Sequence, residues 1–106
     1  MTNKTILTQE EENICEMLKL HKGEENAIKS YEIEKYFHIS CSTVREVINS
    51  LRVKGFPICS GGKGYFFAEN EIDLRRTIAH LNGRKSSIEN AILGLLQAQN
   101  YFGGHE

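Results

Sequence analysis

The feature that most constrains this chain is an amphipathic helix with clear end signals that runs directly into a glycine-rich hairpin, in residues 40–65. Ser40 stands just before the helix, where its hydroxyl can accept from a free amide of the first turn. Gly55 stands just after it, where a left-handed residue commonly ends a helix. The apolar residues between them recur at helical spacing and predict one narrow buried face. We therefore predict a helix over residues 41–54. Its buried residues are Val44, Val47, Ile48 and Leu51.

A tight hairpin is predicted immediately after this helix. Its strands are expected at residues 57–60 and 64–67, and the aromatic residues of the second strand provide one face for the core. Gly61 and Gly62 are expected to supply the positive φ angles that a tight turn needs. Lys63 then falls at the tip of the hairpin.

Two further helices are predicted upstream. Thr8 and Glu11 have the spacing of a capping box, in which each side chain satisfies an amide of the first turn, and they begin a helix over residues 9–21. Ser30 is the predicted N-cap of a short helix over residues 31–37. The three residues before Ser30 are compatible with a very short strand.

The C-terminal third has a different pattern, an unbroken heptad frame that predicts one long helix over residues 71–102. Such a helix is about 48 Å long at 1.5 Å per residue, and a domain of this size has no groove to bury it. We therefore expect a domain in residues 1–70 and an oligomerisation segment in residues 71–106. The frame has two polar positions, Lys85 and Gln99, and a lone lysine at such a position commonly sets register or oligomer state. The predicted dimer contacts are Leu74, Ile78, Leu81, Ile88, Ile92 and Leu95.

Two other arrangements of this segment stay open at the level of sequence. Asn82 and Gly83 can stop a helix, and Ser86 with Glu89 resembles a new capping box, so a helical hairpin is possible. The segment can also fold back on its own domain. We favour one helix, because a glycine inside a helix costs about 1 kcal/mol and each buried apolar side chain returns roughly 1.5–3 kcal/mol.

Composition excludes several classes of protein. The longest apolar runs are only a few residues, so no segment can span a membrane, and the N-terminus lacks the apolar core of a signal peptide. We therefore expect a cytoplasmic protein. Cys15, Cys41 and Cys59 are widely spaced and form no CxxC pair, which indicates ordinary thiols and predicts no metal or other cofactor.

The distribution of charge is more informative than the net charge of −1. Residues 1–37 carry five lysines against eight glutamates, and residues 66–106 carry four basic groups against five acidic ones. Residues 38–65 carry four cations against one glutamate, a local charge of +3. The positive excess therefore lies in the helix and hairpin, as nucleic-acid binding requires, although four cations are also compatible with a solvated surface.

Residues 40–65 contain a pattern made up of Ser40, Val44, Ile48, Leu51-Arg52, Gly55 and the wing sequence Gly62-Lys63-Gly64-Tyr65. This pattern resembles the N-terminal winged helix-turn-helix domain of the biotin repressor and its relatives, the HTH type 11 family. The resemblance implies an α+β, mainly helical fold with three helices and a short hairpin wing. No ligase domain follows, so biotin chemistry is not implied. The heptad segment resembles those of small phage and prophage DNA-binding proteins.

We expect a dimeric protein that binds double-stranded DNA and regulates transcription, with the third helix in the major groove and the wing on the backbone. Arginine can read guanine and asparagine can read adenine in that groove. No small-molecule effector is indicated. The predicted DNA contacts are Ser40, Ser42, Thr43, Arg45, Glu46, Asn49, Arg52 and Lys63.

Two other functional classes compete with this prediction. The domain can instead be a protein-interaction module, for example in phage replication or assembly, which the acidic first third of the chain would suit. An enzyme is disfavoured, because no Ser/His/Asp order and no paired carboxylates are evident. The glycine-rich turn also lacks the spacing of a phosphate-binding loop and lies between strands rather than before a helix.

Overall fold

The computed structural model describes residues 6–102, which form three packed helices, a two-stranded hairpin and a long C-terminal helix. This is the α+β, mainly helical layout of a winged helix that the sequence predicted. In chain order the elements are α1 (Gln9–Lys19), a 3₁₀ turn (Glu24–Asn26), α2 (Ser30–Phe37), α3 (Cys41–Val53), β1 (Ile58–Gly61), β2 (Gly64–Phe67), α4 (Glu71–Ala98) and a closing 3₁₀ turn (Gln99–Phe102).

Local capping signals account for most of the helix starts. The Thr8 hydroxyl accepts from the Glu11 amide and the Glu11 carboxylate accepts from the Thr8 amide, both at 3.0 Å, so the predicted capping box is confirmed. Ser40 caps α3 as predicted, accepting from the Thr43 amide at 3.1 Å. The predicted role of Ser30 is wrong. Ser30 is the first residue of α2, and its hydroxyl donates to the Glu34 carboxylate at 2.9 Å instead of capping the helix.

The core lies between α1, α2, α3 and one face of the hairpin. The predicted apolar face of α3 is buried, and the first two helices and β1 close over it. Tyr65 and Phe67 pack against this cluster from the hairpin, whereas Phe66, which was predicted to share their face, is buried on the opposite one because side chains alternate along a strand. The buried cluster consists of Ile14, Cys15, Leu18, Ile28, Ile33, Val44, Val47, Ile48, Leu51 and Ile58.

The opposite face of the hairpin is buried beneath the start of α4. Cys59 pairs with Phe66 in the antiparallel register, and paired residues point to the same face of a hairpin. Thr77 of α4 accepts from the Ser60 amide at 3.3 Å, and the neighbouring Cys59 thiol is buried. Burial raises the pKa of that thiol above its usual value. The hairpin is therefore enclosed on both faces, and its position relative to α4 is fixed.

Gly64 supplies the special backbone conformation of the hairpin. The predicted positive φ angles at Gly61 and Gly62 are wrong, because in residues 6–102 the wing has its one positive φ at Gly64, at 124°. The segment before Ser30, which the sequence left compatible with a short strand, forms a single antiparallel bridge between Ile28 and Tyr65, next to Gly64. This bridge brings the Ile28 carbonyl so close that a Cβ at Gly64 would collide with it. The Gly55 prediction is confirmed, since its φ is 94°.

The C-terminal segment is one continuous helix, so the helical-hairpin alternative is wrong. α4 passes through Asn82 and Gly83 without a break, and its 28 residues span about 42 Å. Every residue from Leu81 to Gln97 is exposed, so the helix projects from the domain and does not fold back on it. Within residues 6–102, no helix has the combination of length and hydropathy that a membrane span requires.

Candidate nucleic-acid interface

The face of α3 that points away from the core forms the first half of the candidate interface. Ser40 and Thr43 lie at its N-terminal end, where their hydroxyls are 3.0 Å apart and the Ser40 hydroxyl accepts from the Thr43 amide. These two predicted contact residues therefore stabilise the start of the helix. The residues that α3 leaves exposed are Cys41, Ser42, Arg45, Glu46, Asn49 and Val53.

Arg45 presents most of its hydrogen-bonding capacity to solvent. One guanidinium nitrogen, Nη1, lies 2.9 Å from the Cys41 sulfur, one turn earlier. Within residues 6–102 no carboxylate forms an ion pair with it. A guanidinium has five N–H donors in a planar fork, so the remaining donors can bind a phosphate or a base edge. Asn49, also exposed, follows Arg45 by four residues on the same face.

Arg52 is positioned differently from the other predicted contacts. Its Nε donates to the Ile58 carbonyl at 2.8 Å and its Nη2 donates to the Ser60 hydroxyl at 3.1 Å. Burial lowers the pKa of this guanidinium below its usual range, and the nearby Arg84 adds to the effect. Arg52 therefore joins the end of α3 to β1, and the structure does not bring its guanidinium together with the exposed groups of α3.

The tip of the wing forms the second half of the interface. The Lys63 ammonium contacts both carboxylate oxygens of Glu25 at 3.1 Å, in a pair whose side chains are 56% and 85% exposed. Exposed ion pairs of this kind typically contribute roughly 0.2–1 kcal/mol, so the lysine can exchange partners easily. The neighbouring Lys29 donates to the Gly62 carbonyl at 3.1 Å, which places a second cation at the wing.

Sequence reasoning missed Lys29 and the two exposed ends of the α3 face, Cys41 and Val53. Lys29 had a usable signal, because a short strand just before Ser30 would pair with the hairpin and carry the lysine to the wing. Val53 is 78% exposed. It lies eight residues beyond Arg45, close to the same side of the helix, which a helical projection of the predicted element would have shown.

The wing is held against the rest of the domain by polar contacts. Glu24 in the 3₁₀ turn lies 3.6 Å from Arg76 of α4, and the next residue, Glu25, holds Lys63. The 3₁₀ turn therefore connects the wing tip to the base of α4. In the described part of the chain, no three His, Cys, Asp or Glu side chains cluster in a way that could hold a metal ion.

Comparison with protein-family models, with curated proteins and with solved structures found no significant match.

Proposed function

We propose that this chain is a dimeric, cytoplasmic double-stranded-DNA-binding protein that regulates transcription, with α3 in the major groove and the wing on the phosphate backbone. The single observation that carries the proposal is the arrangement of the polar groups. A capped helix exposes Arg45 and Asn49 on one face, and the adjoining hairpin carries Lys63 and Lys29 at its tip.

The exposed groups of α3 suit the major groove chemically. That groove is about 12 Å wide and admits a helix, and α3, with 13 residues, is about 20 Å long. Arg45 would bind the two acceptors of guanine, and Asn49 would pair with the acceptor and donor of adenine. Glu46 would accept from cytosine, and the exposed methyl groups of Val53 would suit contact with thymine.

The wing would bind phosphate through an exchange of partners. Lys63 is held in position by Glu25 at the surface, and a DNA phosphate can replace that carboxylate at little cost. Lys29 would provide a second contact. With Arg45, each copy then offers about three cations, and neutralising three phosphates gives a salt slope of roughly −2.7. A dimer joined through α4 would neutralise twice as many phosphates and would therefore double this slope.

The alternative function, a protein-interaction module, is favoured by one observation. The exposed face of α3 contains Val53 and Cys41 beside its polar groups, and the Lys63 charge is already balanced by Glu25. A surface of mixed polarity with little net charge would suit a protein partner. This alternative predicts weak DNA binding without sequence preference.

Selection of bound sequences from a random DNA pool, followed by fluorescence anisotropy at 50 and 200 mM salt, would test the proposal. The double variant Arg45→Ala with Lys63→Ala should lose at least tenfold in affinity and show a shallower salt slope, because it removes about two contacts per copy. Lys19→Ala is a matched control, since Lys19 is also an exposed lysine paired with a glutamate, Glu16. Equal affinity of the parent and the double variant would contradict DNA binding through this surface.

A further inference from the structure

α4 carries an apolar face that no other part of residues 6–102 covers. Its distal half, residues 86–98, contains a single charged residue, Glu89, and its seam residues Ile88, Ile92 and Leu95 are 50–70% exposed. An isolated helix of this length is marginal in water, and its exposed apolar face gains stability only when a partner covers it. We propose that a second copy covers this face in the antiparallel direction, so that the distal half of each α4 packs against the proximal half, residues 71–85, of the other. The inference deepens the proposed homodimer and specifies its geometry.

An apolar groove lies beside the proximal half of α4. It has a volume of about 310 Å³ and lies between the start of β1 and α4. Its apolar lining comes from Phe56, Pro57, Ile58, Leu74, Ile78 and Leu81. Three of these residues, Leu74, Ile78 and Leu81, also belong to the heptad seam, so whatever covers the seam also faces the groove.

The direction of the partner helix decides which side chains meet this groove. Thr77, which contacts the hairpin, marks the groove side of α4, and the same side of the distal half carries Ala91 and Ala98. In an antiparallel pair, groove sides face each other, so these two small apolar residues of the second copy would approach the groove. In a parallel pair the groove of one copy would face the other side of the second copy's α4, which carries Arg75 and Asn82 of that copy. The apolar groove is therefore matched by the antiparallel direction.

The seam contains one charged residue, Lys85. In a parallel pair in register, Lys85 of one copy would meet Lys85 of the other within the apolar interface. In an antiparallel pair that aligns Leu81 with the partner's Ile92, Lys85 lies beside the partner's Ile88 and Glu89 instead. Within one copy, residues 6–102 provide no ion pair for Lys85 or Glu89. The antiparallel register thus pairs two charges that are unpaired in the single chain.

This register also fixes the separation of the two domains. The two Thr77 residues, where each helix crosses its own hairpin, would be nineteen helical positions apart, or about 29 Å along the axis. Half-sites on consecutive DNA turns are about 34 Å apart. The two points where the helices cross their own hairpins are therefore separated along the axis by a little less than one DNA turn.

A parallel pair has one electrostatic feature in its favour, since Arg84 would lie opposite the partner's Glu89 across the seam. The two directions are separated by cysteine cross-linking in the full chain without DNA. Cys41 is replaced by serine, because it is the one exposed cysteine in residues 6–102. The three variants to compare are Leu81→Cys, Ile92→Cys and the double variant. Cross-links require Cα atoms about 4.4–6.8 Å apart, so facing positions should link and distant ones should not.

The antiparallel register predicts a near-complete covalent dimer for the double variant under mild oxidation, and less than about a tenth of that yield for either single variant. Efficient linking of the single Leu81→Cys variant would indicate a parallel pair and overturn the proposal. Absence of a cross-link in the double variant would also overturn the proposal, whether sedimentation shows the parent protein to be a monomer or a dimer. Both positions are exposed in one copy, and circular dichroism checks that each variant keeps its helices. Because no DNA is present, the outcome is independent of the DNA-binding test.

Discussion

Glu11 connects the first helix to the third, and its charge should make the protein lose stability in acid. Its carboxylate accepts from the Ser50 hydroxyl at 2.6 Å and pairs with the Lys54 ammonium at 2.8 Å, while it also closes the capping box with Thr8. The hydrogen bonds from Lys54, Ser50 and Thr8 lower the pKa of Glu11 from 4.5 to about 2. Replacing the charge while keeping the shape, in Glu11→Gln, should therefore destabilise the fold.

The pKa change sets the size of the effect. A shift of this size corresponds to about 3.4 kcal/mol at most, at 1.36 kcal/mol per pH unit. The Lys54 side chain is 29% exposed, so solvent screening reduces the figure, and we expect Glu11→Gln to cost about 1–2 kcal/mol at pH 7. Because the folded pKa lies below the unfolded one, this stability is fully present above about pH 5 and disappears as the pH falls towards 2.

Urea unfolding followed by circular dichroism at pH 7, 4 and 2.5 measures this difference, at one fixed protein concentration. The gap between the parent and Glu11→Gln should be largest at pH 7 and should fall to about a quarter of that value at pH 2.5, which is still slightly above the folded pKa. In a Glu11→Gln background, Lys54→Met should add little further loss, because its partner charge is already gone. An equal gap at pH 7 and pH 2.5 would refute the reasoning, since it would show that the charge of Glu11 contributes nothing.

Three other changes test the wing and the seam. Gly64→Ala should destabilise the fold by about 1–3 kcal/mol in urea unfolding, because its φ is positive and its Cβ would collide with backbone, whereas Gly62→Ala, in open space, should be near neutral. Arg52→Ala should lower the free energy of unfolding by about 1–3 kcal/mol in the same assay, because two hydrogen bonds to the hairpin are lost. An unchanged unfolding midpoint would show that Arg52 does not stabilise the hairpin. Leu95→Glu should convert a dimer to a monomer in sedimentation, while Asn90→Glu on the far side of α4 should not; equal masses for the two variants would count against the seam.

Short-range signals predicted the secondary structure well. The capping box at Thr8, the cap at Ser40 and the left-handed Gly55 depend on atoms within one turn of the chain, so residue types at fixed spacing are sufficient. The heptad repeat likewise favoured one helix across Gly83, and the structure has it. Ser30 was wrongly predicted as a cap, because its hydroxyl donates to the carboxylate of Glu34, four residues further on, and is not used to cap the helix.

The candidate site was predicted in part. Ser42, Arg45, Glu46 and Asn49 are exposed on one side of α3, as helical periodicity implies. Arg52 was assigned to the same surface, but the backbone of β1 holds its guanidinium. That outcome could not be read from periodicity, since it depends on where the hairpin docks. Whether the exposed groups bind DNA stays a prediction for the binding assay.

The sequence by itself determined where the helices and the hairpin lie and which face of each is apolar, because these properties depend on neighbours a few residues apart. Only the tertiary structure decided which distant groups meet. Glu11 contacts Ser50 and Lys54, which lie 39 and 43 positions further along the chain. Lys29 contacts the wing at Gly62, 33 positions away. A glycine is required at position 64 because the backbone of Ile28 lies too close for a Cβ atom. Contacts of this kind depend on the docking of whole elements, which residue spacing does not encode.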